Sequence, residues 1–239
     1  MSTLVVVRHG QASFFEADYD QLSPLGQRQS LLLGRYWARR AIRFDEVYTG
    51  PRRRHLETAR LAGEQYADTP IAWPELQVAA EFDEYAAEAV LKESLPTLVE
   101  HDASIRELHA AVGAAKDRTD TLRRFQQMYE VIIGRWAHGA LELPGIEPWG
   151  EFCQRVEAGL ARIVHQPGRS RRVAVITSGG PVGIAMQQAL GVTPHKTLEL
   201  AWMVPNAAVS EFLYTTDKFT LSRFNNIAHL DDPDLITYR

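Results

Sequence analysis

The sequence predicts an α/β protein, a three-layer sandwich in which helices flank a mostly parallel sheet, with a helical cap inserted into it. Two apolar runs, at residues 4–7 and within 172–177, lack polar alternation. Such runs are typical of strands buried on both faces of a parallel sheet. Helical patterns alternate with these strands, whereas residues 84 to about 139 are almost wholly helical in pattern. Alternating strands and helices indicate an α/β sandwich.

The elements follow one another with recognisable start and stop signals. The first strand covers residues 4–7. A helix then begins at Pro24, which suits the first helical position, with Ser23 before it as the N-cap. This helix is predicted to end near Arg40. The remaining predicted elements are a strand at 44–49, a helix at about 52–66, a strand at 172–177, a helix from Ser178 to about Leu190, and strands at 209–214 and 219–224 that form a hairpin or two separate sheet strands.

The helical middle is interpreted as an insertion at about 84–148 that caps the active edge of the sheet. The alternative is that these helices simply flank the sheet. The pattern contains no internal repeat and no low-complexity linker, so residues 1–239 are expected to form a single domain with this insertion.

The first strand runs directly into Arg8, His9 and Gly10. In open α/β sheets, ligands bind just beyond the carboxyl ends of the strands. Arginine grips phosphate with a planar fork of donors, histidine serves as a nucleophile or an acid and base near neutral pH, and glycine lets the backbone approach a ligand. The alternative is an ordinary polar turn after a core strand.

A second basic cluster, Arg52 to Arg54, also follows a predicted strand and opens a helix. Helix N-termini favour anions through their free amides and dipole. Two strand ends that each lead into arginine predict one phosphate clamp. The alternative for a lone basic triplet is a solvated helix face.

Three motifs occur in a fixed order: a strand followed by Arg-His-Gly, Leu-Ser-x-x-Gly at residues 22–26, and Val-Tyr-Thr-x-Pro-x-x-Arg-x-x-x-Thr-Ala at residues 47–59. In this order they resemble the histidine phosphatase superfamily, which includes phosphoglycerate mutases and many phosphatases. The resemblance is strong over residues 4–61, returns over 172–190 and is weak through the helical middle. It implies one histidine phosphatase-like domain.

The resemblance implies that His9 is the nucleophile that becomes phosphohistidine, without a metal or other cofactor. It also implies that Arg8 and Arg54 hold the transferred phosphoryl oxygens. From the residues of this chain we further expect phosphate to be bound by Ser178 and Gly179 and by Gln11 and Ser13 on the loop after the turn. Phosphoryl transfer depends on positioning and charge neutralisation more than on covalent chemistry by the protein, which suits these residue types. No metal-binding spacing of histidine, cysteine or acidic residues appears in the sequence.

The implied general acid is Glu81, with Asp83 and Glu84 as competitors. The acid must protonate the leaving alkoxide, so we expect a partly desolvated carboxyl group with a raised pKa. The alternative for Glu81 is a surface carboxylate.

The chain departs from the superfamily after the strand at 172–177, where a second histidine normally precedes Gly-Gly and this chain has Ser178. Loss of one transition-state donor costs roughly 3–4 kcal/mol. Modest activity, compensation from elsewhere and lost catalysis all remain open. His55 is expected to face away from the site. Ser178 is not expected to be a hydrolase nucleophile, since Ile176 stands where that motif needs glycine.

These residues predict hydrolysis of a phosphomonoester through phospho-His9. The alternatives are a phosphoester-binding or regulatory protein of the same fold with weak or no catalysis and, less favoured, a mutase-type phosphotransferase. The predicted partner is a small phosphorylated substrate of unspecified identity.

Composition excludes several other partners. The net charge of −4, from 26 basic and 30 acidic residues, argues against nucleic acid or an anionic membrane as a partner. A single cysteine allows no intrachain disulfide. The apolar run at the N-terminus is too short for a signal peptide, and no run approaches the roughly 18 residues of a membrane span. We therefore expect a cytoplasmic protein, with the number of subunits open and a homodimer included.

Overall fold

The computed structural model describes residues 1–13, 20–166, 168 and 170–238. Its strands and helices alternate as the sequence predicts. In chain order they are β1 Ser2–Arg8, α1 Pro24–Arg39, β2 Glu46–Thr49, α2 Arg53–Glu64, β3 Leu76–Val78, α3 Ala87–His101, α4 Ala103–Gly113, α5 Arg118–Ala137, α6 Trp149–Val164, β4 Arg172–Thr177, α7 Gly179–Leu190, α8 Pro194–Trp202, β5 Val209–Tyr214 and β6 Phe219–Asn226, with 3₁₀ turns at Ala80–Phe82 and Pro233–Leu235.

The six strands form one mixed sheet in the order β3-β2-β4-β1-β5-β6. Strand β4 pairs in parallel with β1 and β2, and β2 pairs in parallel with β3. Strands β5 and β6 form the antiparallel hairpin at the other edge. The α/β fold class is confirmed. Because β2, β4 and β1 are parallel neighbours, their carboxyl ends meet at one edge of the sheet.

The central strand β1 is buried on both faces, as its unbroken apolar run predicts: residues 4–7 are at most 2% exposed. Val5 and Val7 face a core built with α1 and α2, which contribute Leu33 and Ala59 among others. Neighbouring residues of a strand point to opposite faces, so Leu4 and Val6 fill the second face.

The turn after β1 packs directly on the start of α1. Ser23 caps this helix, since its hydroxyl accepts the Gly26 amide hydrogen. A Cβ atom on Gly10 would lie 2.4 Å from the carbonyl oxygen of Gly26, and one on Gly26 would lie 2.0 Å from that of Gln11. Both positions therefore require glycine for this close backbone approach.

Gly26→Ala is expected to destabilise the protein by about 1–3 kcal/mol, because backbone atoms must move to admit the methyl group. Gly134→Ala is the matched control: Gly134 is also helical, and a Cβ atom there would meet nothing within 4 Å. The control is expected to be neutral or to stabilise the protein by up to about 1 kcal/mol. Urea unfolding of both variants measures the difference. Equal midpoints for Gly26→Ala and wild type would contradict the close approach.

Two compact units are distinguished by their internal contacts: the described residues of Met1–Glu84 with Gln154–Arg239, and Tyr85–Cys153. The second unit contains α3, α4 and α5, so the predicted helical character of the middle is confirmed. Its use as a cap stays a prediction. In the described part of the chain, no helix is both long enough and apolar enough to cross a membrane.

Candidate functional site

The carboxyl ends of β1, β2 and β4 bring together His9, Arg54 and Ser178, with Arg54 at their centre. Its Nε atom donates to His9 Nε2 at 3.1 Å, and its Nη2 atom donates to Ser178 Oγ at 3.4 Å. All three residues are at most 5% exposed. The sheet topology thus joins residues that lie far apart in the sequence.

The His9 imidazole is held in one orientation. Its Nδ1 atom lies 2.6 Å from the carbonyl oxygen of Gly10. A carbonyl oxygen only accepts hydrogen bonds, so Nδ1 carries the proton and Nε2 presents a lone pair. Nε2 is therefore the unprotonated nitrogen, and its lone pair accepts the hydrogen bond from Arg54.

Burial and neighbouring charge keep the His9 ring neutral. Desolvation lowers the pKa of His9 well below 6.5, and the charges of Arg54, His55 and Arg8 lower it further. The hydrogen bond to the Gly10 carbonyl opposes this shift only in part. The imidazole is thus unprotonated near neutral pH, the state that a nucleophile needs.

Thr58 explains the spacing of the Arg-x-x-x-Thr motif. Its hydroxyl donates to the carbonyl oxygen of Arg54 one helical turn earlier, at 2.7 Å, and accepts the Gly10 amide hydrogen at 3.0 Å. One side chain thereby fixes the turn after β1 against the first turn of α2. This contact sets His9 and Arg54 in register with each other.

Arg8 lies at the end of β1 and acts on His9 through its charge. Its guanidinium group donates to the carbonyl oxygen of Val204.

Arg54 has a further partner in Asp20, whose Oδ1 atom accepts from Nη1 at 2.7 Å. An acidic side chain thus neutralises part of the charge that Arg54 presents.

Gln11 and Ser13 lie on the segment after the turn and are tied to the start of α1. The side-chain oxygen of Gln11 accepts from the Ser23 hydroxyl at 2.8 Å, and the Ser13 amide donates to the carbonyl oxygen of Gln21 at 2.9 Å. The Gln11 amide donates to the side chain of Gln29 at 2.8 Å. This segment is therefore anchored close to His9.

His55 corrects an expectation from the sequence, because its side chain turns into the site. Its Nε2 atom lies 2.7 Å from Ser178 Oγ, and its ring centroid lies 5.5 Å from that of His9. The sequence does contain a pattern that favours this orientation. Residues 55, 59 and 62 are spaced to lie on one face of a helix, and Ala59 and Ala62 are small and apolar. In the structure all three residues are fully buried.

The three candidate acids point to different partners. Glu81 accepts from Arg162 at 3.1 Å, and Asp83 accepts from Arg52. Glu84 instead reaches the first turn of α7, where its Oε2 atom accepts the Gly180 amide hydrogen at 3.0 Å. Glu84 is therefore the carboxylate placed beside Ser178.

The carbonyl oxygen of His9 is held by a loop and by residues near the end of the chain. It accepts from the Ala207 amide at 3.1 Å and from the Asn206 side chain at 3.3 Å. The Asn206 amide in turn donates to the carbonyl oxygen of Thr237 at 2.7 Å, while the Gln29 side chain donates to the Thr237 hydroxyl at 2.9 Å. This network fixes the backbone that carries His9.

Across the described residues, no group of three or more histidine, cysteine or acidic side chains is arranged to hold a metal ion. The chemistry that the site offers is a neutral imidazole beside fixed cationic and hydroxyl donors. Such an arrangement suits transfer of an anionic phosphoryl group.

Known proteins are similar to this chain in sequence pattern and in fold. A family model described as the histidine phosphatase superfamily, branch 1, matches residues 4–82 and 84–227. A sequence search of curated proteins finds no match.

Solved structures share the fold. A putative alpha-ribazole-5'-P phosphatase from Escherichia coli has a TM-score of 0.65 and 18% identity, covering 95% of this chain and 97% of that chain. A phosphoglycerate mutase from Bacillus anthracis has a TM-score of 0.61 and 16% identity, covering 96% and 95% respectively. A phosphoserine phosphatase from Entamoeba histolytica, in complex with 3-phosphoglyceric acid, has a TM-score of 0.62 and 16% identity, covering 96% and 100%.

Proposed function

Because this chain belongs to the histidine phosphatase superfamily, we propose that it hydrolyses small phosphomonoesters through a phosphohistidine intermediate on His9. The observation that carries the proposal is the geometry of the buried nucleophile. Nδ1 of His9 is bound to the Gly10 carbonyl, and its Nε2 lone pair lies against the guanidinium group of Arg54. An attacking nitrogen is thus set beside the donors that neutralise the transferred group.

The reaction proceeds in two displacements at phosphorus. In the first, His9 Nε2 forms a bond to phosphorus, the bond to the ester oxygen breaks, and a carboxylic acid protonates that leaving oxygen. In the second, water attacks phosphorus, the phosphorus–nitrogen bond breaks, and the resulting carboxylate takes the proton from water. Inorganic phosphate leaves, and His9 regains its lone pair without a metal.

The phosphoryl oxygens are held by a cationic clamp of Arg8 and Arg54, with the Ser178 hydroxyl and the Gly179 amide completing it. Support comes from burial, since Arg54 is 3% exposed and Ser178 1% exposed. In this low-dielectric setting a charged hydrogen bond is stronger than in water. Gln11 and Ser13 lie on the adjoining segment, where we assign them a secondary role in binding phosphate.

Glu84 is the acid that the geometry favours over Glu81. Its carboxylate lies at the N-terminus of α7, next to Ser178. Glu81 instead forms an ion pair with Arg162. Asp83 is paired with Arg52 in the same way.

Glu84→Gln is expected to lower kcat for an alkyl phosphate by about 10²–10⁴-fold, because the alkoxide then leaves without a proton. The loss is expected to be smaller for 4-nitrophenyl phosphate, whose phenolate leaves readily unprotonated. Glu81→Gln is the matched control and is expected to retain activity within a few-fold. Steady-state kinetics with both substrates measures the effect. The reverse ranking of the two variants would return the role to Glu81.

The proposed function is tested by screening a panel of phosphomonoesters and by trapping the intermediate. Rapid acid-free quenching during turnover is expected to yield an acid-labile phosphoprotein, modified at His9 when mapped by mass spectrometry. Tight phosphate binding with no hydrolysis of any ester would instead support a phosphoester-binding protein of the same fold.

A further inference from the structure

His55 and Ser178 form a buried pair that the reaction described so far does not fully use. The His55 ring is fully buried, and Ser178 is 1% exposed. Their Nε2 and Oγ atoms are 2.7 Å apart. Burying a polar nitrogen is costly unless it is hydrogen-bonded, and the contact with Ser178 satisfies Nε2 of the buried ring.

The Ser178 hydroxyl does not cap the helix that follows it. Ser178 occupies the N-cap position of α7, where serine normally accepts an amide hydrogen from the first turn. Here it makes no such bond, and the Gly180 amide is bound by Glu84 instead. The hydroxyl faces His55 and Arg54, inside the proposed phosphoryl site.

The turn between β2 and α2 is shaped to hold the His55 ring. A Cβ atom on Gly50 would lie 2.3 Å from His55 Nδ1 and 2.4 Å from the carbonyl oxygen of Phe82. Only glycine leaves room for the imidazole at this position. The Nδ1 side of the ring therefore packs closely against Gly50, while the Nε2 atom contacts Ser178.

The direction of the hydrogen bond decides what Ser178 can do. A hydroxyl group has one hydrogen to donate. If Ser178 donates to His55, it has no hydrogen left for a phosphoryl oxygen. If His55 donates from Nε2, the Ser178 oxygen is satisfied by His55 and Arg54, and its own hydrogen is free to bind phosphate.

We infer that His55 is a positioning residue that acts through Ser178, donating from Nε2 to Ser178 Oγ and so directing the serine hydrogen to the phosphoryl group. The inference rests on the proposed phosphoryl site and deepens it. The site thereby gains an imidazole from α2, one residue beyond Arg54. Burial and the charges of Arg54 and Arg52 lower the pKa of His55 well below 6.5, and a hydrogen bond to the Gly50 backbone opposes this shift. A bound phosphate dianion would offset the two arginine charges and favour a ring that also carries a proton on Nε2.

Binding of inorganic phosphate, measured by isothermal titration calorimetry, tests the pair without requiring turnover. Ser178→Ala is expected to weaken binding about ten-fold or more, since a hydrogen bond to a charged group is lost. His55→Leu fills the ring's volume without a donor and is expected to weaken binding several-fold. The double variant is expected to bind like Ser178→Ala alone, because His55 acts only through Ser178.

His55→Gln supplies the rescue, because a glutamine amide places a donor nitrogen near the position of Nε2. It is expected to recover most of the affinity that His55→Leu loses. His101→Ala, at a histidine whose side chain is 69% exposed on α3, is the control and is expected to bind phosphate like wild type. Thermal unfolding establishes that each variant is folded.

The opposite results overturn the inference. Tighter phosphate binding by His55→Leu would mean that Ser178 donates to His55 and that the ring competes with phosphate. Additive losses in the double variant would mean that the residues act separately. Absence of phosphate binding by the wild-type protein would also remove the inference.

Nitrogen NMR of the histidine rings decides the point if His55→Leu does not fold. The His55 signals are assigned by their loss in His55→Gln. In the phosphate-bound wild-type protein, Nε2 of His55 is expected to carry a proton, and an unprotonated Nε2 would contradict the inference. Coupled phosphate binding without hydrolysis of any ester would reject the proposed function alone, whereas hydrolysis with additive losses would reject the His55–Ser178 pair alone.

Discussion

Replacing His9 with alanine is expected to lower phosphomonoester hydrolysis by about 10⁴-fold or more, as removal of a catalytic nucleophile does in other enzymes. In the proposed reaction, the Nε2 lone pair of His9 attacks phosphorus. His55 lies close, but its Nε2 atom is directed at Ser178. The acid-labile phosphoprotein is expected to disappear together with turnover, as measured by kinetics and by mass spectrometry.

The wild-type pH profile adds a second measurement. Since the pKa of His9 is lowered well below 6.5, its protonation is not expected to reduce kcat/KM until the pH falls well below that value. His109→Ala, at an exposed residue of α4, is the control and is expected to keep full activity. Near-normal hydrolysis by His9→Ala would rule out the phosphohistidine route.

Arg54→Lys is expected to lower kcat by about 10²–10³-fold, the size of effect seen when a preorganised donor to transition-state charge is removed. Arginine here donates from three nitrogens, to His9, Ser178 and Asp20. A lysine ammonium keeps the charge but cannot reproduce this planar fork. The loss therefore tests geometry rather than charge.

Arg60→Lys is the matched control, because Arg60 lies on the same helix but is exposed, and its ion pair is with Glu64, on the same helix. Its activity is expected to equal that of wild type. Kinetics with one ester and phosphate inhibition of each variant measure the two effects. An Arg54→Lys enzyme as active as Arg60→Lys would show that one positive charge suffices.

Much of the fold could be predicted because the strongest signals are local. The apolar runs of β1 and β4 identify strands buried on both faces, and the Ser23-Pro24 pair marks the start of α1. Strand β3 was not predicted, since it has three residues and presents mostly exposed side chains. Helix α8 was also missed, although Thr193 and Pro194 are a cap and first-position pair like that of α1.

The candidate site likewise has parts that the sequence indicates and parts that it does not. That His9, Arg54 and Ser178 lie at one edge follows from parallel strands ending together, which a sequence can indicate. The inward position of His55 depends on which face of α2 meets the sheet. Glu81 lies within the 3₁₀ turn at Ala80–Phe82 and Glu84 lies just beyond it, and their carboxylates bind different partners, Arg162 and the Gly180 amide. A single turn of this kind leaves no periodic pattern to read.

The long-range pairing of β1 has a consequence for how the protein is made. Its neighbours in the sheet are residues 172–177 and 209–214, and the network behind His9 closes only with residue 237. During synthesis the apolar segment at residues 4–7 therefore has neither of its neighbouring strands until residues 172–177 have been translated. Segments exposed in this way are aggregation-prone, so we expect nascent chains to depend on chaperone binding near β1. The complete set of hydrogen bonds behind the His9 backbone can therefore form only after residue 237 has been translated.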